Sequence, residues 1–162
     1  MEAMSLLPLF EWVEGTGLSV AIRGSFWVFA FVQALHLVTL TLLAGSILIV
    51  DLRLLGRGIT RQPVKVLAQD AQPWLMAALV GMLLTGMPQL VSNATKEYNS
   101  PFFRSKMAFL FLALLFTFTL RRQVTLADVE RVKPVWRTVV GLVSIALWLG
   151  VAVSGRLIGL FS

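Results

Sequence analysis

The sequence predicts an all-α fold, a polytopic membrane protein built as a four-transmembrane-helix bundle with a short N-terminal interfacial helix. Three observations predict it. The chain of 162 residues is 57% hydrophobic and only 14% charged, with a mean hydropathy of +0.83. That balance is foreign to soluble domains of this size. Four apolar segments stand out, each near the ~20 residues that a helix needs to cross ~30 Å of hydrocarbon. Within lipid the backbone must satisfy its own hydrogen bonds, so these segments are read as helices. One membrane domain spanning 1–162 follows.

The segments run over about 25–50, 73–91, 101–120 and 138–155. The first lies between Arg23 and Asp51, is somewhat long, and is expected to tilt. The connections 51–72 and 121–137 carry nine Lys and Arg residues, against five on the opposite side. By the positive-inside rule both connections are cytoplasmic and both termini lie outside. The formal charge of +6 is therefore read as a topology signal and not as a nucleic-acid footprint. Residues 5–15, SLLPLFEWVEG, place Leu6, Leu9, Phe10 and Val13 on one helical face. They predict a helix lying on the outer membrane surface, anchored by Trp12, with a lid over an outward-facing site as the functional alternative. Glu2, Glu11 and Glu14 stand where a signal peptide would be basic, so none is expected.

Small residues recur four apart: Ala77, Gly81 and Thr85 in the second segment, and Ala146, Gly150 and Ser154 in the fourth. Thr41 and Gly45, with Ala34, form a similar face on the first. These predict close helix contacts, within the bundle or between protomers. Pro88 is expected to kink the second helix near its end.

There is no cysteine, which excludes disulfides, iron–sulfur clusters and thiolate metal sites, and with one histidine a zinc site within one chain is not expected. No serine–histidine–acid arrangement or phosphate-cradling glycine loop is present, so an enzyme is not favoured. The histidine, His36, lies fifteen residues from Asp51, which at ~1.5 Å per residue puts it ~22 Å away, in the outer half of the membrane. Phe29, Val32, Gln33, Leu40, Leu43 and Ile47 share its face. An ionisable residue at this depth is a candidate functional group, and a hydrogen bond to a carbonyl or hydroxyl on a neighbouring helix is the structural alternative. Arg23, Arg104, Lys106 and Arg156 all fall at the outer ends of segments. As a set they are lipid-headgroup anchors, or they hold the propionates of a b-type haem whose iron takes His36. Phe26, Trp27, Phe29, Phe102, Phe103 and Trp148 would supply apolar walls. The iron would be five-coordinate, or would take Met76, Met82, Met87, Met107 or a second protomer's His36. Copper bound by His36 and methionine thioethers is an alternative. Asp51, at a helix C-terminus, calls for an ion pair with Arg53, Arg121 or Arg122.

EWVEGTGLSVAIRGSFWVF (11–29), ALHLVTLTLLAGSILIVDLRLLG (34–56), SPFFRSKMAFLFLALL (100–115) and ALWLGVAVSGRLIGLF (146–161) together resemble a family of bacterial four-helix inner-membrane proteins known as a domain of unknown function. The spacing of His36 to Asp51-Leu52-Arg53, the Phe103-Arg104-x-Lys106 start and the Gly155-Arg156 end carry the resemblance. It implies the four-helix fold and a place in a bacterial inner membrane, and no activity. A looser likeness runs to the membrane domain of copper-resistance D proteins and to small membrane cytochromes b, from which this chain departs by having a single histidine. The expected function is haem-based electron transfer, with a quinone or a redox partner, as a homo-oligomer or within a membrane complex. A cofactor-free accessory subunit and a copper-handling protein are the alternatives.

Overall fold

The computed structural model describes residues 7–59, 61–127 and 132–161, and among them the fold is all-α. In chain order come α1 (Leu7–Glu14), α2 (Gly17–Gly24), α3 (Phe26–Leu54), α4 (Val64–Ser92), α5 (Ala94–Asn99) and α6 (Pro101–Phe116). A π-helical segment (Thr117–Arg121) joins α6 to α7 (Arg122–Leu126), and α8 (Pro134–Phe161) closes the chain. Four helical stretches are long and apolar enough to cross a membrane: α3, α4, the continuous α6–π–α7 rod and α8. Their outward faces carry large exposed apolar residues, among them Phe31, Val38, Leu84, Phe111 and Leu142. In water that surface would aggregate, and in lipid it is the expected exterior. The protein is a multi-pass membrane protein.

Each helix runs beyond the apolar limits set by hydropathy. The start of α4 shows why. Val64, Leu67 and Leu75 are buried at helical spacing, while Lys65, Gln69, Asp70 and Gln72 are exposed. An amphipathic turn of this kind stays helical through inward packing after the lipid-like stretch has ended. Pro73 and Pro88 both lie inside α4. The chain between α3 and α4 turns on Gly56, whose φ of +73° allows the amide of Arg57 to reach the Leu52 carbonyl at 2.8 Å, and that of Gly56 the Arg53 carbonyl at 3.1 Å. This pair of bonds caps the last carbonyls of α3, and a side chain at Gly56 would strain it.

α3 packs mainly on α4, α6 on α8, and α8 joins the two pairs through α3. Mid-bundle, Leu43, Ile47, Leu75 and Ala78 form the core, with Met82, Phe118 and Trp148 against it. A second cluster of Leu54, Val64, Val124 and Val140 lies at the end bearing the basic connections, here called the basic end. Close approach depends on glycine. A Cβ on Gly81 would lie 2.6 Å from Thr39 Cγ2, and one on Gly150 would lie 2.6 Å from the Phe109 ring. The Thr41/Gly45 face of α3, by contrast, is exposed, and Gly45 has nothing within 4 Å. It lines an open groove of about 770 Å³ with Leu67, Ala71 and Trp74.

Gly150→Ala tests the α6–α8 contact. Overpacking costs about 1–3 kcal/mol, against about 1 kcal/mol gained in helix propensity. A net loss of up to about 2 kcal/mol is expected in thermal unfolding of the detergent-solubilised protein. A variant as stable as the wild type would show that Phe109 moves aside freely.

At the end opposite the basic connections, α1 and α2 fold over the ends of α4 and α5. Phe10 stacks on Tyr98 with ring centroids 5.0 Å apart, and Glu14 Oε2 accepts the Thr95 amide at 2.8 Å. The carboxylate thus meets the amide end of α5, where Asn93 makes no side-chain cap. Ser19, fully buried, donates its hydroxyl to the Val91 carbonyl at 3.1 Å. Residues 5 and 6 of the interfacial helix expected at 5–15 lie outside the described residues; from Leu7 it is helical, and its Phe10 and Glu14 engage α5.

Candidate functional site

His36 lies one-third of the way along α3, half-buried against α4. Its Nδ1 is 2.7 Å from Thr85 Oγ1. The Thr85 hydroxyl itself donates to the Gly81 carbonyl at 2.7 Å. A threonine hydroxyl has one proton, so toward His36 its oxygen accepts and Nδ1 carries the hydrogen. In the neutral ring Nε2 is then the unprotonated nitrogen. No group among the described residues hydrogen-bonds it. The ring has room because residue 86 is glycine: a Cβ there would sit 3.3 Å from His36 Cε1. Thr39, one turn along, places its hydroxyl 2.9 Å from the His36 carbonyl and 3.4 Å from Met82 Sδ. Four α4 residues, Gly81, Met82, Thr85 and Gly86, therefore seat the histidine and the turn that follows it.

Lys106, from α6, is the cation whose charge reaches the imidazole. Its stem passes over Gly155 of α8, where a Cβ would lie 3.7 Å from Lys106 Cε. The same ammonium acts on Glu97 in α5. Burial pushes the Glu97 carboxyl above its usual range, and Lys106 and Lys96 pull it part of the way back.

The other expected site residues are scattered. Phe29 is half-buried and Gln33 exposed on the His36 face. Arg104 lies over the Tyr98 ring, 5.8 Å from its centroid, in a cation–π contact. Arg156 is exposed. The side chain of Arg23 lies outside what is described. Phe26 and Trp27 are 77% and 81% exposed and meet edge to face. Trp148 is committed elsewhere, donating Nε1 to Thr117 Oγ1 at 3.1 Å. Among the methionines, Met82 joins the His36 cluster, whereas Met76, Met87 and Met107 are exposed. No group of three His, Cys, Asp or Glu residues that could hold a metal occurs among the described residues.

A second polar centre lies at the basic end. Arg121 Nε donates to Asp51 Oδ1 at 2.7 Å and Nη2 to the Ile47 carbonyl at 3.2 Å. The side chains are 8% and 0% exposed. Of the three partners open to Asp51, Arg121 is the one used; Arg53 donates instead to the Gln62 carbonyl at 2.8 Å. Thr117 and Arg121, four residues apart at the two ends of the π segment, are both buried. Asp51 Oδ2 and Ser144 Oγ, neighbours in this centre, are both sealed from solvent without a hydrogen bond. Nothing in the sequence marks a π segment. Thr85 was legible as a small packing residue and not as the partner of His36.

No curated protein and no solved structure matches the chain. Its sequence matches one family model over residues 9–162, and the chain belongs to that family of unknown function, DUF6644.

Proposed function

We propose that the protein binds a b-type haem in the half of the bundle that carries His36, with His36 Nε2 as an axial ligand, and transfers electrons to or from a quinone or a redox partner. One observation carries this reading: the Thr85 hydroxyl holds the proton on Nδ1 and leaves Nε2 as a lone pair without a partner. Histidines that bind metals are oriented in this way, with the far nitrogen donating to a fixed acceptor. Lys106 is the cation placed to meet a propionate, and Phe29 offers part of an apolar wall. Gln33, Arg104 and Arg156 would serve only at the rim, and Phe26 and Trp27 face outward. The second wall and any second axial ligand would therefore come from another copy or from a partner subunit. The excess of Lys and Arg at the basic end supports a cytoplasmic placement of that end, with both termini outside; a bacterial inner membrane is the setting we propose for it.

Two further readings each rest on an observation. The His36–Thr85 bond also ties α3 to α4, and the Thr41/Gly45 face is open, as an accessory subunit assembling through that face would require. Met82 Sδ near the His36 turn suits Cu(I). A visible spectrum with metal analysis of protein purified from haem-replete cells decides among them. A Soret band that disappears in His36→Ala is the expected result. Copper without a Soret band would establish the copper reading, and neither, with His36→Ala assembling normally, would establish the accessory one.

A further inference from the structure

Between α4 and the π segment, at the basic end, lies a cavity of about 200 Å³, separate from the His36 cluster. It is several times the ~30 Å³ that a water molecule occupies in the liquid. Its walls are Gln69 and Gln72 from α4 and Thr117, Arg121, Arg122 and Thr125 from the rod, completed by apolar side chains. Arg121 is its buried cation, 6% exposed as a residue, beside the buried Leu75, Thr117 and Thr125. Two of its nitrogens are spent on the far side, Nε on Asp51 and Nη2 on the Ile47 carbonyl. Nη1, with two protons, has no acceptor among the described residues. It is not sealed off either: the buried side-chain atoms without partners among the described residues are Asp51 Oδ2 and Ser144 Oγ alone. Arg121 thus lines the cavity with its guanidinium already anchored to Asp51 and the Ile47 carbonyl. Arg122 adds a second guanidinium at the rim, and no described residue pairs with it. Gln69 and Gln72 add two amides whose donors are likewise uncommitted.

Donors dominate this lining. The hydroxyl of Thr125 is spent on the Arg122 carbonyl, and that of Thr117 accepts from Trp148. Asp51 balances the charge of Arg121, which leaves Arg122 as the net positive charge of the site. Two guanidinium groups and two amides around a small space fit a group with several acceptor oxygens and a negative charge. We propose that this cavity is a phosphate site, taking either the phosphodiester of an anionic lipid headgroup or free inorganic phosphate. The ion pair with Asp51 acts as its positioning element: it holds Arg121 in place so that no side-chain order has to be created on binding.

The test uses the full chain in detergent and in nanodiscs. The probes are inorganic phosphate, with sulfate-free chloride buffer as control, and nanodiscs of phosphatidylglycerol against phosphatidylcholine. Binding is read as the shift in unfolding temperature and, for lipid, as phosphatidylglycerol retained in native mass spectrometry. The variants are Arg122→Ala and Gln69→Ala/Gln72→Ala, which spare the buried pair and so the fold. Each lost charge-assisted bond is expected to weaken binding about tenfold or more. A variant-sensitive effect of inorganic phosphate assigns free phosphate. A variant-sensitive effect of phosphatidylglycerol alone assigns the lipid headgroup. No effect of either probe, or an effect equal in the wild type and both variants, overturns the site.

Discussion

Arg121→Ala will destabilise the folded protein by about 3–5 kcal/mol, the usual cost of removing one partner from a buried ion pair. The carboxylate of Asp51 is 0% exposed, and among the described residues Arg121 is the cation that hydrogen-bonds it. Without the guanidinium, the buried carboxylate would keep at most the neighbouring Ser144 hydroxyl, a neutral group, and the Ile47 carbonyl would lose its contact with Nη2. Desolvating an unpaired charge is more costly than the mutual attraction of the pair is favourable, so the single variants mislead about the pair's net worth. The double variant Asp51→Leu/Arg121→Met separates the two. It removes both charges and keeps much of the volume, and it is expected to be more stable than either single variant. Chemical unfolding in mixed micelles, followed by helical circular dichroism, gives all four corners of the cycle. If Arg121→Ala unfolds like the wild type, the pair does not hold the basic end together. A double variant worse than both singles would show that the centre is needed for register and not only for charge balance.

The same centre shows what a sequence of this kind reveals. Asp51 at the end of an apolar helix announces that a cation must meet it, and Arg121 was one of three candidates. The choice among them is made by packing: Ala113, Thr117 and Arg121 are buried four residues apart on the rod, Arg122 is exposed, and Arg53 is held by the Gln62 carbonyl. The apolar pattern alone does not say which face of the rod meets α3. The four spans were legible because a lipid exterior demands long apolar runs. Their ends were not, because the turns beyond the lipid, such as Val64–Leu75, are held by inward packing that hydropathy averages away. At the candidate site, His36 was legible as the one histidine at mid-membrane depth. Its surroundings were not: Arg104, Lys106 and Arg156 share one end of the bundle, yet among them it is the charge of Lys106 that acts on the imidazole. Arg104 is taken up by Tyr98, a residue on a short helix that the hydropathy pattern does not reveal.

Thr85→Val is expected to change the histidine without moving it. Valine keeps the shape of threonine and removes the one acceptor of the Nδ1 proton. The proton then either stays on Nδ1 as a buried donor without a partner, at a cost of about 1–3 kcal/mol, or moves to Nε2. Either outcome weakens Nε2 as a ligand, the first through misorientation and the second by occupying its lone pair. Loss of such an orienting partner typically lowers affinity at a ligating histidine by about 10–100-fold. Haem titration of the purified protein, followed in the Soret region, is expected to show a weakening of that size. Thr85→Ser, which keeps the hydroxyl, should remain close to the wild type, because the oxygen and not the methyl group sets the tautomer. Nitrogen NMR of the imidazole reads the same variants without any ligand. The wild type and Thr85→Ser should show Nδ1 protonated and Nε2 bare, and Thr85→Val should lose that pattern. A Thr85→Val protein that keeps it would mean that another group positions the ring. If the tautomer responds to Thr85 but no haem binds in any variant, the hydrogen bond serves to join α3 to α4, and His36 belongs to the assembly of the bundle.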